Sequence, residues 1–228
     1  METDTLFKEK KTSESLFSKK NRKLLQDPLN ENNPITVQVL GICSALAVTA
    51  KLLPAIAMAL SVMVVLTVGN VVISLMRNII PSRIRIIVQL VVISALVILV
   101  DQVLKAFAYD VSKQLSVFIS LIITNCIIMG RFESFALGNK PWLAFLDGLG
   151  NAWGYGIILV IVAFFRELLG SGALLGIQLF GDPIEKTGLY ALGYVNNGFM
   201  LLAPMALIVV GGIIWIQRGR SVKLIEKY

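Results

Sequence analysis

Charged side chains fall in clumps along this chain, and the intervals between clumps are long and apolar. Pro34 to Ala50 carries no charge, and Lys51 with Pro54 marks a turn. Leu52 to Met76 is uncharged and long enough to cross a bilayer, which takes a helix of roughly 20 apolar residues. Arg77, Arg83 and Arg85 surround Pro81 and predict a basic loop. The next apolar interval, Ile86 to Val100, continues through Asp101 and Lys105. Gln114 to Gly130 is again uncharged and ends at Arg131 and Glu133. A fifth interval runs from about Leu143 to Leu169, and the last from about Phe199 to Gln217. The pattern predicts an all-α polytopic membrane protein with six transmembrane helices. Residues 1–33 form a polar N-terminal tail, 34–218 the membrane domain and 219–228 a basic C-terminal tail.

Two of the spans, Pro34 to Ala50 and Gln114 to Gly130, are short, and each opens a group of three. One repeat then covers about 34–110 and the other about 114–218. Three crossings is an odd number, so the second copy is inserted upside down. Inverted repeats place interrupted helices near the bilayer midplane. Irregular backbone at that depth persists only where protein buries it or a cavity solvates it. Gly41 and Ser44 in the first short span, and Thr124 and Asn125 in the fourth, suit a helix broken into halves. Glycine needs no side-chain room, and the hydroxyls and the amide can satisfy freed backbone groups.

Charge sets the orientation, because Lys and Arg accumulate on the cytoplasmic side. An inside N-terminus puts sixteen Lys and Arg on the inner face and five on the outer, so both termini are predicted cytoplasmic. The tail holds seven Lys and Arg against six acids, which is too balanced for a nucleic-acid patch. It also lacks an apolar core before a small-residue cleavage site, so it does not read as a signal peptide. Disorder or an amphipathic stretch on the membrane is the expectation for it.

Composition removes most catalytic chemistry. The chain is 56% hydrophobic and 15% charged, against about 25% charge in soluble domains. It contains no histidine, which excludes His-ligated haem, His-based zinc sites and Ser/His or Cys/His nucleophile pairs. Its two cysteines, Cys43 and Cys126, lie 83 positions apart and cannot form a C-x2-C knuckle. They do occupy matching places, one in each short span. A lone membrane cysteine is ordinarily a small buried hydrophobe, and a disulfide is a further alternative. Iron–sulfur clusters commonly take four thiolates, so two per chain would require two more from a second chain.

Few other residues invite chemistry. Asp101 and Lys105 share a helix face at a spacing of four and are placed to pair. An ionisable group within a span is a functional candidate, which makes Asp101 and Asp147 candidates for an ion pathway. Each has a plainer reading, as an interfacial acid (Asp101) or an acid favoured by a helix N-terminus (Asp147). The adjacent Arg166 and Glu167 read best as an interfacial pair contacting lipid or another subunit. Gly154-Tyr155-Gly156 lacks the Thr-Val that precedes such a triplet in a potassium filter. Gly170-Ser171-Gly172-Ala173 is no dinucleotide loop and more plausibly ends a helix, and no nicotinamide site is visible.

The blocks Leu40-Gly41-Ile42-Cys43-Ser44-Ala45-Leu46-Ala47-Val48-Thr49 and Ile123-Thr124-Asn125-Cys126-Ile127-Ile128-Met129-Gly130-Arg131 carry a resemblance. So do Phe145-Leu146-Asp147-Gly148 and Phe165-Arg166-Glu167. Over about residues 27–217 the chain resembles the family made up of the D and E subunits of the bacterial Na+-translocating NADH:quinone oxidoreductase (Nqr) and their Rnf-complex relatives. The Cys-Ser-Ala-Leu wording is closer to the Nqr D subunit than to its Rnf counterpart, where a proline more often follows the cysteine. The resemblance implies two inverted three-helix repeats paired with the similar Nqr E subunit. It also implies one [2Fe-2S] cluster between the two chains, with Cys43 and Cys126 as this chain's ligands. That cluster would relay single electrons between flavin-bearing subunits, coupled to Na+ export across the bacterial inner membrane. Flavin-carrying subunits of that complex attach FMN at Ser-Gly-Ala-Thr; here Leu174 follows Ser171-Gly172-Ala173, so no covalent flavin is expected. A membrane component of an Rnf-type ferredoxin:NAD+ oxidoreductase, a secondary transporter and a scaffold with inert cysteines are the competing expectations.

Overall fold

The computed structural model describes residues 25, 28, 33–81, 83–107, 119–171, 173–174, 177–178 and 198–220. In chain order the helices are α1 (Ile42–Val48), α2 (Leu52–Met76), α3 (Arg85–Phe107), α4 (Ile119–Ile123), α5 (Cys126–Arg131), α6 (Pro141–Ser171) and α7 (Ala203–Arg220). A π-helical turn (Phe132–Ala136) extends α5, and a 3-10 turn (Gly198–Leu201) leads into α7. One departure from an all-helical chain is a minimal hairpin, β1 (Ala173–Leu174) antiparallel to β2 (Ile177–Gln178). It follows directly on the end of α6, where Gly170-Ser171 was expected to stop a helix.

Among the described residues three helices, α2, α3 and α6, are long and apolar enough to cross a membrane. The apolar stretch of α7 is shorter, Ala203–Gly219. The first short interval holds one short helix, α1, preceded by turns at 34–37, and the second holds α4 and α5 with a break between them, although Gln114 to Phe118 of the second lies outside the described residues. The boundary between 110 and 114, the tail cations and the C-terminal Lys223 and Lys227 also lie outside them.

The core forms where α2 lies against α6, and small residues make that approach possible. Gly148, Ala152 and Gly156 recur every fourth position on α6 and therefore share a face. A methyl group at Gly148 would sit 3.1 Å from Thr67 Cα and 3.3 Å from the Leu66 carbonyl oxygen. Backbones this close are the usual way membrane helices gain packing without a hydrophobic driving force. Met58, Val62 and Leu66 of α2 and Leu159 and Val162 of α6 fill the buried seam. The two helices run antiparallel. Leu52 at the start of α2 meets Glu167 near the end of α6, and Asn70 near the end of α2 donates to Ala144 O at 3.0 Å. The faces turned away from this seam stay apolar: Leu60, Val64, Val91, Ile98 and Trp153 are exposed. An apolar exterior of this extent matches surroundings of lipid or partner chains rather than water.

Two loops meet at one end of the bundle. Ser74 Oγ donates to Asn139 O at 2.6 Å, Arg85 pairs with Glu133, and Gln89 Nε2 donates to Glu133 Oε2 at 3.3 Å. The segments carrying Arg77, Arg83 and Lys140 therefore lie at the same end of the bundle. The tail boundary needs correcting. Asn33 is buried, donates to Gly154 O at 3.2 Å and accepts from the amides of Ile35 and Thr36. Pro28 also presses on α6, its carbonyl oxygen 2.6 Å from where a Gly154 methyl would stand. The packed fold thus begins before Pro34, because an asparagine caps its first turn.

Candidate functional site

The first short span is broken by left-handed backbone. Val39 and Gly41 have φ of 59° and 83°, which no helix continues, and α1 starts afresh at Ile42. For a β-branched residue such as Val39 this conformation is strained. Gly41 is required twice over, since a side chain there would also stand 3.0 Å from Tyr155 Cε2. Ser44 Oγ donates to the Gly41 carbonyl at 2.7 Å, beside the first helical bond that the same oxygen accepts from Ala45 N at 3.2 Å. Cys43 sits in this first turn of α1, free and exposed.

The second short span breaks at Thr124-Asn125. Asn125 is extended (φ −68°, ψ 121°), and its Oδ1 accepts from Ile127 N at 3.2 Å, capping α5. Cys126 is the first residue of α5, also free and exposed. The two breaks are neighbours in space. A methyl at Gly130 of α5 would lie 3.1 Å from Leu40 Cδ1, and one at Gly41 would lie 3.7 Å from Asn125 Oδ1. Tyr155 of α6, fully buried, fills the space between, with its hydroxyl 2.7 Å from Ser44 Oγ.

The same α6 grips each half-helix from further along. Arg131, closing α5, forks onto Asp147, with Nε donating to Oδ2 at 3.0 Å and Nη2 to Oδ1. Asn151 Nδ2 adds a hydrogen bond to Asp147 Oδ1 at 3.0 Å. Asp147 lies beyond the first turn of α6, so a helix-dipole role is removed; the dipole effect fades within one turn. It is instead the buried counter-charge of Arg131, whose side chain is 14% exposed. At the other end, the Arg166 guanidinium binds Thr49 Oγ1 at 2.5 Å, Leu46 O at 3.4 Å and three carbonyls of Met200, Leu201 and Leu202. Glu167 accepts from Leu52 N at the start of α2. The interfacial reading of Arg166 and Glu167 is therefore overturned. Both are buried and spent on groups within the chain. Asp101 and Lys105 pair at 2.6 Å as their spacing predicted, Asp101 nearly buried and Lys105 half-exposed.

Both cysteines and four residues of the breaks, Gly41, Ser44, Thr124 and Asn125, were legible in the sequence, but Tyr155, dismissed with the Gly-Tyr-Gly triplet, was not. Nor was the Arg131–Asp147 partnership. The signal available was a cation closing one span and the only acid in the first half of the next.

Residues 21–214 match the family described as Rnf-Nqr subunit, membrane protein. The chain belongs to the Rnf-Nqr family. It is 55% identical over 201 residues to the D subunit of the Na+-translocating NADH-quinone reductase of Photobacterium profundum, covering 88% of this chain and 93% of that one. The Pasteurella multocida D subunit is 54% identical over 92% of this chain and 99% of its own. That of Haemophilus influenzae is 56% identical over 84% and 90%. Membership of the Rnf-Nqr membrane proteins and the three long apolar helices together make this a multi-pass membrane protein. Among its described residues no three His, Cys, Asp or Glu side chains cluster to hold a metal ion. A thiolate-bound metal group at Cys43 or Cys126 would therefore need ligands from outside the described residues.

Proposed function

We propose that this chain is the D-type membrane subunit of a Na+-translocating NADH:quinone oxidoreductase, with Cys43 and Cys126 providing half the ligands of a [2Fe-2S] cluster. The carrying observation is that both thiols are free, exposed and seated directly beside helix breaks that pack against each other. The donor set fits: two thiolates here and two from a homologous E-type partner make the four such a cluster takes. When bound, the cluster supplies one-electron transfer between flavin-bearing partner subunits. The chain's own part is to seat the two cysteines beside breaks that pack against each other and against Tyr155 of α6, and to leave them open to the partner. The antiparallel run of α2 and α6 supports two inverted repeats of three crossings each, since an odd number of crossings reverses the copy. The location in this reading is the bacterial inner membrane, both termini cytoplasmic.

Asp147 and Asp101 are the carboxylates proposed to act on Na+. Each already has a protein cation, Arg131 or Lys105. Na+ would therefore exchange against a tethered charge instead of meeting a bare acid, which keeps the site neutral between ions. The test uses the assembled complex. Cys43→Ala and Cys126→Ala should each lose iron and the paramagnetic signal of the reduced cluster, and full iron content in either variant would overturn the reading. Asp147→Ala and Asp101→Ala should weaken the Na+ dependence of turnover, and unchanged apparent Na+ affinity in both would remove the acids from the ion path.

A further inference from the structure

We propose that Tyr155 is a positioning residue for the two thiols, fixing the Cys43 turn against the Cys126 turn through a directed hydrogen bond to Ser44. This rests on the cluster reading above. Hydrogen-bond inventory assigns the direction. A serine hydroxyl has one proton, and Ser44 spends it on Gly41 O at 2.7 Å. The 2.7 Å contact between Ser44 Oγ and Tyr155 Oη therefore has the tyrosine as donor. The result is a chain of three groups, Tyr155 O–H to Ser44 O–H to Gly41 C=O, closing on the residue that breaks the helix.

The same tyrosine reaches the other break. Its ring stands against Gly41, and Asn125 faces its hydroxyl. Asn125 Oδ1 is committed to Ile127 N, so the carboxamide cannot flip without uncapping α5. That leaves Asn125 Nδ2 turned away from the cap, buried and without a hydrogen-bond partner among the described residues. Ser44 and Asn125 are each the immediate neighbour of a cysteine. Tyr155, Ser44 and Asn125 are all at least nine-tenths buried, while both cysteines are exposed. One side chain of α6 thus touches the residue adjacent to each cysteine. Groups outside the ligand set that orient ligands in this way tune a metal centre's potential and spectrum.

The experiment compares Tyr155→Phe, Ser44→Ala and the double variant in the whole purified complex, measuring iron content, the paramagnetic spectrum and the cluster's midpoint potential. Tyr155→Phe keeps the ring that packs on Gly41 and removes only the donor. Expected are wild-type iron content, altered g-values and a shift of about fivefold in the one-electron equilibrium, roughly 40 mV at about 59 mV per decade. Ser44→Ala also removes the bond to Gly41 O, so the double variant should match Ser44→Ala, in which the Tyr155 bond is already gone. A wild-type spectrum and potential in Tyr155→Phe would overturn the proposal, as would effects of Tyr155→Phe and Ser44→Ala that add in full. If Tyr155→Phe does not assemble, Ser44→Ala alone decides on the same readouts. Iron retained in Cys43→Ala would instead overturn the cluster reading itself. Iron lost there, with an unshifted Tyr155→Phe signal, would overturn the role of Tyr155 alone.

Discussion

Replacing Arg166 by methionine should cost the fold about 3 kcal/mol and should loosen one end of it selectively. The guanidinium is 1% exposed and binds five oxygens: Leu46 O, Thr49 Oγ1 and the carbonyls of Met200, Leu201 and Leu202. Leu46 O is one of the carbonyls a helix C-terminus leaves orphaned, and Thr49 Oγ1 itself donates to Ala45 O. Arg166 thus closes the last turn of α1 and ties it to the approach into α7. In water, losing a buried partner leaves penalties of about 1–3 kcal/mol per group. In a bilayer the unfolded helices also find partners, and interhelical hydrogen bonds average about 0.6 kcal/mol. Five contacts at that value give roughly 3 kcal/mol. Methionine approximates the apolar stem, so the loss measures the head group. Arg166→Lys keeps the charge but not the fork, and should lose about half as much. The assay is denaturant unfolding of the complex in lipid–detergent micelles, with hydrogen exchange resolved by segment. Protection should fall at 42–49 and 198–203 and hold along the α2–α6 seam. A stability change below about 1 kcal/mol, or a uniform loss of protection, would refute the reasoning.

Gly41→Ala should destabilise by about 1–2 kcal/mol from its left-handed backbone alone, and more through the Tyr155 ring 3.0 Å away; the readout is unfolding together with iron retention. Arg131→Met leaves the Asp147 carboxylate buried without its partner and should cost about 3–5 kcal/mol, whereas adding Asp147→Asn should recover much of it. A double-mutant cycle with no coupling would show the pair to be incidental. Gly148→Ala puts a methyl 3.1 Å from Thr67 Cα and must part α2 from α6; a loss of about 1–3 kcal/mol in thermal unfolding checks it.

Long apolar intervals translated directly into α2, α3 and α6, because their only demand is length and hydropathy. The breaks were legible too. Gly41 and Asn125 are residue types chosen for backbone conformation, and that preference is local. What stayed hidden depends on the partner across space. Arg131 reads as a loop cation until Asp147, sixteen residues on, turns out to face it. Arg166 reads as an interfacial charge until the carbonyls of 200–202 fold back over it. Tyr155 reads as an apolar span residue with a polar tip, and nothing in its neighbours' identities announces Ser44. The hairpin after α6 is too short to leave a pattern of period two.

The placement of the thiols is, on this architecture, a property of α6. Asp147, Tyr155 and Arg166 lie eight and eleven residues apart, about 12 Å and 17 Å along the axis at 1.5 Å per residue. The first grips the end of the Cys126 half-helix, the second stands behind both breaks, and the third grips the end of the Cys43 half-helix. A helix of 31 residues packed on α2 by small side chains is stiff compared with pieces of six and seven residues. The short pieces cannot hold themselves, since isolated helices below about 12 residues are marginal. Their positions are therefore inherited from α6, which explains why Asp147, Tyr155 and Arg166 are buried on a helix that carries neither cysteine. Substitutions at the α2–α6 seam, remote from both thiols, should consequently reach Cys43 and Cys126 together. Changes at the exposed apolar positions of α3, such as Val91 and Ile98, should leave them undisturbed.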